Sequence, residues 1–79
     1  PGALRPRDQH DNAQSGAVVA VESRGNLLLA EHGSIAVLGV DNLVVVRTHD
    51  TVLVVPRGRA QEVRRLLAEI AARGRQDLL

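Results

Sequence analysis

Asn26-Leu27-Leu28-Leu29-Ala30-Glu31-His32-Gly33-Ser34-Ile35-Ala36-Val37-Leu38-Gly39-Val40-Asp41-Asn42-Leu43-Val44-Val45-Val46 carries three aliphatic runs spaced eight residues apart, each followed or preceded by turn formers. The rhythm extends outward to Val19-Ala20-Val21 on one side and Val52-Leu53-Val54 on the other. Eight residues are too few for a strand-helix-strand unit, so the spacing predicts short strands that stack or meander. Ser23-Arg24-Gly25-Asn26 and Glu31-His32-Gly33-Ser34 supply the turns, with Gly25 and Asn26 the natural positive-φ occupants of the first. Leu43 to Val46 is apolar at every position, which predicts a strand covered on both sides.

After the strands the period changes. Pro56-Arg57-Gly58-Arg59 closes the last one, and helical spacing starts at about Ala60. Ala60, Val63, Leu66, Leu67, Ile70 and Ala71 share one face, whereas Gln61, Glu62, Arg64, Arg65, Glu69 and Arg73 share the other. Gly74 is a natural helix stop, and Glu69 with Arg73 forms an i,i+4 pair. Burying Val63, Leu66, Leu67 and Ile70 is worth roughly 1.5–3 kcal/mol each. Docking of this helix is therefore expected to decide folding, with Leu66→Asp the change that undoes it. One sheet face is expected to stay uncovered and to meet another domain or a second copy.

Upstream, residues 1–16 are polar and interrupted by Pro and Gly, and they read as a flexible linker. The expected organisation is thus a linker over 1–16, solenoid-like strands over 17–57, and a C-terminal helix and tail over 58–79. The fold class is mainly β, a solenoid-like stack of short strands with one C-terminal α-helix.

Composition narrows the function. The 79 residues allow one small domain, and a chain with no Cys has neither disulfides nor thiolate metal sites. Without Phe, Trp, Tyr or Met the core must be built from Val, Leu, Ile and Ala. A formal net charge of +1 and no aromatic platform argue against nucleic-acid binding. No apolar run has membrane-spanning length. Beginning at Pro1 rather than Met, the chain is expected to be a piece of a longer soluble cytoplasmic protein.

Candidate chemistry is sparse. Asp8, His10 and Asp11 cluster in the linker, but a flexible segment does not preorganise metal ligands, so no metal site is assigned. His32 and His49 lie in turns beside Glu31 and Asp50 and read as surface residues, with no nucleophile spaced for a triad. Arg57 and Arg59 beside a helix start form a candidate anion site, weighed against an ordinary solvated connection. The Walker pattern is missing there. Glu22, Glu31, Asp41 and Asp50 fall one per turn, with nothing to single out a catalytic pair. No catalytic residue, cofactor-binding residue or metal ligand is assigned, and the fragment alone is expected to be inactive.

Gly39-Val40-Asp41-Asn42-Leu43-Val44-Val45-Val46-Arg47-Thr48, followed by Asp50-Thr51-Val52-Leu53-Val54 and Pro56-Arg57-Gly58-Arg59-Ala60-Gln61-Glu62-Val63, resembles the C-terminal region of mannose-1-phosphate guanylyltransferases, also called GDP-mannose pyrophosphorylases. Asn26-Leu27-Leu28-Leu29 and Ile35-Ala36-Val37-Leu38 fit the same pattern, so the resemblance spans about residues 17 to 73. It implies a short left-handed β-helix capped by a helix, following a large nucleotidyltransferase domain and helping to join subunits. It also implies a parent that makes GDP-mannose from GTP and mannose 1-phosphate with Mg²⁺. The family's nucleotide loop and sugar motif do not occur here, so no catalytic residue is carried over. The partners implied are the missing N-terminal catalytic domain and further copies of the chain. The rival expectation is a free-standing interaction or regulatory module with no enzymatic parent.

Overall fold

The computed structural model describes residues 10 and 12–79. Four strands, β1 (Ala13–Val21), β2 (Leu27–Leu38), β3 (Leu43–Arg47) and β4 (Val52–Pro56), precede a 3-10 turn over Arg57–Glu62 and helix α1 over Val63–Ala72. The strands form one sheet in the order β1-β2-β3-β4. The first two pairings are parallel and the last is antiparallel. The architecture seen is a four-stranded mixed sheet with one C-terminal α-helix. The expected left-handed solenoid is not itself seen, because β4 turns back along β3 through a tight reversal. There the Thr48 N–H donates to the Thr51 carbonyl at 2.8 Å, and the Thr48 hydroxyl braces the same turn.

The eight-residue rhythm is not the pairing repeat. Leu27 pairs with Val44 and Ala30 with Arg47, an offset of 17. Ala17 pairs with Ser34 and Val21 with Leu38, again at 17, and so does the isolated parallel bridge between Arg24 and Asp41. Each aliphatic run therefore lies beside the next but one. Long β2 serves both neighbours: residues 27–30 pair with β3, while residues 27–29 and 34–38 pair with β1. This explains how strands joined by only a few residues run parallel, since the intervening part of β2 makes the return path.

Gly16 marks the place where the β1–β2 register slips, from an offset of 14 at Ala13–Leu27 to 17 at Ala17–Ser34. Its φ is +84°, and a Cβ there would run into the Ala30 carbonyl oxygen, so only glycine fits. Strand structure thus begins at Ala13, within the stretch expected to be linker, while residues 1–9 and 11 lie outside the described residues.

The core is small and lies between the strands. Leu28, Ile35 and Val45 are buried, with Val18, Ala20, Ala30, Val37 and Leu43 packed against them. No residue of β3 is exposed, in keeping with its unbroken apolar run. Helix α1 departs from expectation in one respect. Its apolar face is the predicted one, but Val63, Leu66, Leu67 and Ile70 are only half-buried, and no helix residue is buried. Its packing is chiefly against the flanking 3-10 turns rather than the strands. The buried apolar side chains thus lie in the strands, and none lies in the helix.

The α-helix also starts later than Ala60. Arg59 has non-helical angles (φ −118°, ψ 20°), and Glu62 at the start makes no capping hydrogen bond because arginines hold its carboxylate. The end is as expected. The Gly74 N–H donates to the Ala71 carbonyl at 2.9 Å and the Arg75 N–H to the Ile70 carbonyl at 3.0 Å, a Schellman stop with Gly74 at φ +70°. Glu69 and Arg73 pair at 2.8 Å on the exposed face.

Candidate functional site

The densest polar constellation is structural and sits at one corner of the strand stack. Asn12, Ser23 and Asn26 are all essentially buried. Asn12 accepts from both the backbone N–H and the side-chain amide of Asn26 at 2.9 Å, and it donates to the Ser23 carbonyl at 2.8 Å. Asn26 in turn donates to the Val40 carbonyl at 2.9 Å and accepts from the Leu43 N–H at 2.8 Å. Ser23 accepts from the Val40 N–H and donates to the Val21 carbonyl. Three successive turns are stitched together, and among the described residues no buried side-chain polar atom lacks a partner. Such a saturated network holds backbone in place and leaves no group free for chemistry.

Arg57 and Arg59 do not converge on a shared site. Arg57 donates from Nη1 to the Gly25 carbonyl at 2.8 Å, while its N–H donates to the Asn42 carbonyl at 2.7 Å. It therefore bolts the strand-to-helix connection onto the turn before β2. Arg59 forms a two-pronged pair with Glu62, at 2.8 and 2.9 Å, and Arg65 donates to the same carboxylate at 2.7 Å. Hydrogen bonds from Arg59 and then Arg65 hold the Glu62 carboxyl down at about 2. An anion at Arg59 would have to displace Glu62. Similarly, the hydrogen bond from Arg75 keeps the Asp77 carboxyl below its ordinary range.

His32 and His49, 17 positions apart like the paired strands, meet at another corner. Their rings lie 4.7 Å apart, edge to face at 65°. Both are exposed, and His49 is 3.7 Å from the Asp50 carboxylate. Among the described residues no three His, Cys, Asp or Glu side chains are grouped as a metal site. Of the linker cluster only His10 is described, and its carbonyl accepts from the Gly25 N–H at 3.2 Å. Asp8 and Asp11 lie outside the described residues. No helix among the described residues is long and apolar enough to cross a membrane.

The open features are of mixed character, and one of about 360 Å³ between β4 and α1 is lined by Val54, Pro56 and Leu66 together with Arg59, Glu62, Arg65 and Glu69. A groove of about 330 Å³ runs between the last third of β2 and the β3–β4 pair, floored by Ile35, Val37, Leu43 and Val45 and rimmed by Val52 and Val54. The outer face of the β1–β2 pairing presents Val19, Val21 and Leu38 to solvent.

A protein-family model described as the MannoseP isomerase/GMP-like beta-helix domain matches residues 16–70. The chain belongs to this family. Curated relatives include the mannose-1-phosphate guanylyltransferase ManC of Salmonella typhimurium, 35% identical over 66 residues that make up 84% of this chain and 14% of the relative. The xanthan biosynthesis protein XanB of Xanthomonas campestris is 37% identical over 73 residues, 90% of this chain and 15% of its own. Alginate biosynthesis protein AlgA of Pseudomonas fluorescens is 29% identical over 75 residues, covering 95% and 16%. Among solved structures, the crystal structure described as mannose-1-phosphate geranyltransferase from Thermus thermophilus superposes with a TM-score of 0.75 at 38% identity, over 84% of this chain and 20% of that one. The chain spans about one sixth of the length of the curated relatives it matches.

Sequence reasoning missed Asn12 and Gly16, both set aside as linker. A signal was present. An asparagine stands directly before each of three strand segments, as Asn12-Ala13, Asn26-Leu27 and Asn42-Leu43. Asn26, expected at positive φ, is instead the buried centre of the network. Gly25 takes the expected positive φ, at 68°, and the non-glycine residues that do so are Glu22 and Asn42, at 51° and 56°.

Proposed function

We propose that this chain is the non-catalytic C-terminal domain of a nucleotidyltransferase that makes GDP-mannose from GTP and mannose 1-phosphate, where it braces the catalytic domain and helps join subunits. The observation that carries this reading is the coverage: relatives named mannose-1-phosphate guanylyltransferase match 84% of this chain within only 14% of their own length. The remaining length is where a nucleotide loop, a sugar site and the Mg²⁺ of the reaction belong. The bracing role is supported by the absorption of the strongest polar groups, Asn12, Asn26, Arg57 and Glu62, into contacts that hold the domain together.

The same reading takes the strands as a short left-handed β-helix. Its support is the offset of 17 shared by three parallel pairings around one core, together with the description of the matching family model. Each circuit then contributes one side chain to the interior stack of Leu28 on Val45. A cytoplasmic location, with neither nucleic acid nor membrane as partner, belongs to this reading too.

Two experiments test it. The 79-residue chain, given GTP, mannose 1-phosphate and Mg²⁺, is expected to release no pyrophosphate; turnover would overturn the non-catalytic assignment. The reading frame upstream of Pro1 is expected to encode a Gly-rich nucleotidyltransferase loop. A frame without one would leave the rival, a free-standing interaction module, in its place.

A further inference from the structure

His32 stands two places beyond Ala30, and His49 two places beyond Arg47, the last pair formed between β2 and β3. The two imidazoles leave neighbouring runs of the chain side by side, with ring centroids 4.7 Å apart and planes inclined at 65°. Both side chains are exposed, but the backbone beneath them is held. The Arg47 Nε donates to the His32 carbonyl at 3.3 Å. The Thr48 N–H and hydroxyl both donate to the Thr51 carbonyl, at 2.8 and 3.2 Å, and fix the turn that carries His49.

The ring separation is the one a metal chelate needs. A metal about 2.0–2.1 Å from an imidazole nitrogen lies about 3.2 Å from the ring centroid. Two imidazoles bound to it at roughly 90–110° therefore have centroids about 4.5–5.2 Å apart. The observed 4.7 Å falls inside that window before any side chain turns. Asp50 supplies a second element, since its Oδ1 lies 3.7 Å from the His49 Nε2. A ligating histidine ordinarily gives its other N–H to a carboxylate, so a small approach by Asp50 would leave Nδ1 as the ligating nitrogen of His49. The charged side chains on the two runs are Glu31 and Asp50 against Arg47, two negative and one positive, a balance that suits a cation.

We infer that His32 and His49 form a two-histidine chelate for a late first-row divalent cation, with Asp50 orienting His49 and water completing the coordination. Two ligands from the chain make the chelate, so it does not depend on a third His, Cys, Asp or Glu joining the group. Imidazole suits copper, nickel and zinc, and affinity follows the usual order of these ions, so Cu²⁺ binds tightest with Ni²⁺ and Zn²⁺ behind it. Mg²⁺ and Ca²⁺ take oxygen ligands and are passed over. The two histidines meet only in the fold, so a bound ion clamps β2 to the reversal between β3 and β4 and stabilises the folded chain. The inference goes beyond the proposed parent reaction, whose ion is Mg²⁺, and does not rest on it.

The test uses the 79-residue chain and the metal salts alone. Zn²⁺ should shift the ring signals of His32 and His49 in the NMR spectrum along one binding curve, saturating well below millimolar metal. In calorimetric titrations with Ni²⁺, His32→Gln and His49→Gln should each weaken binding at least about tenfold, with an unchanged circular dichroism spectrum. The double variant should bind no more weakly than either single one, because a lone imidazole does not chelate. Asp50→Asn should weaken binding by about tenfold, and His10→Gln should leave it unchanged. Zn²⁺ should raise the melting temperature of the unaltered chain and not that of His32→Gln. Ring signals that follow two different curves, shifts seen only at millimolar Zn²⁺, Ni²⁺ binding indifferent to His32→Gln, or Mg²⁺ bound as tightly as Ni²⁺ would each overturn the inference. The ring signals are read on the unaltered chain, so they decide the matter even where a variant fails to fold. None of these readouts involves guanylyl transfer, so failure here is distinct from failure of the proposed parent reaction.

Discussion

Replacing Asn26 by alanine removes a side chain that holds groups from three turns. The Leu43 N–H loses its acceptor at 2.8 Å, and the Val40 carbonyl and the Asn12 side-chain oxygen each lose a donor at 2.9 Å. Asn12 keeps its bond from the Asn26 backbone, so two groups are left without this partner. At about 1–3 kcal/mol for each buried group stranded, the loss is roughly 2–6 kcal/mol. A domain of this length has roughly 4–12 kcal/mol to lose, so the variant should be marginal or unfolded at room temperature. Asn26→Asp adds a test of sign. At neutral pH its second oxygen would face the Asn12 and Val40 oxygens, acceptor against acceptor, and its carboxyl pKa in the folded state would be raised. A raised folded pKa means that the penalty is present at high pH and shrinks as pH falls through that value. The stability gap to the unaltered chain should therefore narrow on acidification. Urea unfolding followed by far-ultraviolet circular dichroism suits a chain without Trp or Tyr. An Asn26→Ala variant within about 0.5 kcal/mol of the parent, the range of ordinary surface changes, would refute the idea that this network holds the turns.

Leu28→Ala, at a side chain with no exposure, should cost about 2–5 kcal/mol, whereas Leu66→Ala on the half-buried helix face should cost clearly less; the reverse order in urea unfolding would restore helix docking as the decisive step. Gly16→Ala meets both a positive φ and the Ala30 carbonyl, while Gly39→Ala meets only the positive φ, with open space around it. The first should therefore lower the melting temperature well below the second, whose cost is about 1–2 kcal/mol. Glu62 should titrate near 2 by carbon-detected NMR, and Arg59→Gln should move it back toward 4.5. Because its folded pKa is depressed, the pairing with Arg59 and Arg65 is fully present above about pH 4.5 and is lost as pH falls toward 2.

Much of the fold was legible along the chain. The aliphatic runs became strands, the three- and four-residue spacing from Val63 to Ile70 became the inward helix face, and Gly74 became the stop. Each is a local matter, settled by backbone conformation and side-chain period within a few residues. The helix start was less legible, because Arg59 leaves helical angles and no side chain caps the first turn to mark it. The candidate anion site read from Arg57 and Arg59 placed two neighbours in one role. The fold separates them: one reaches back to Gly25, and the other stays with Glu62.

What the chain determined by itself was the position of the strands, the apolar helix face and the absence of cysteine and aromatic chemistry. Only the tertiary structure decided which run lies beside which, because Val- and Leu-rich runs of similar length pair almost equally well in several registers. Asn12, Asn26 and Gly16 tie the runs together, the glycine standing where the offset slips from 14 to 17. Their hydrogen bonds and close approaches join groups 11 to 17 positions apart and exist only once the stack has formed.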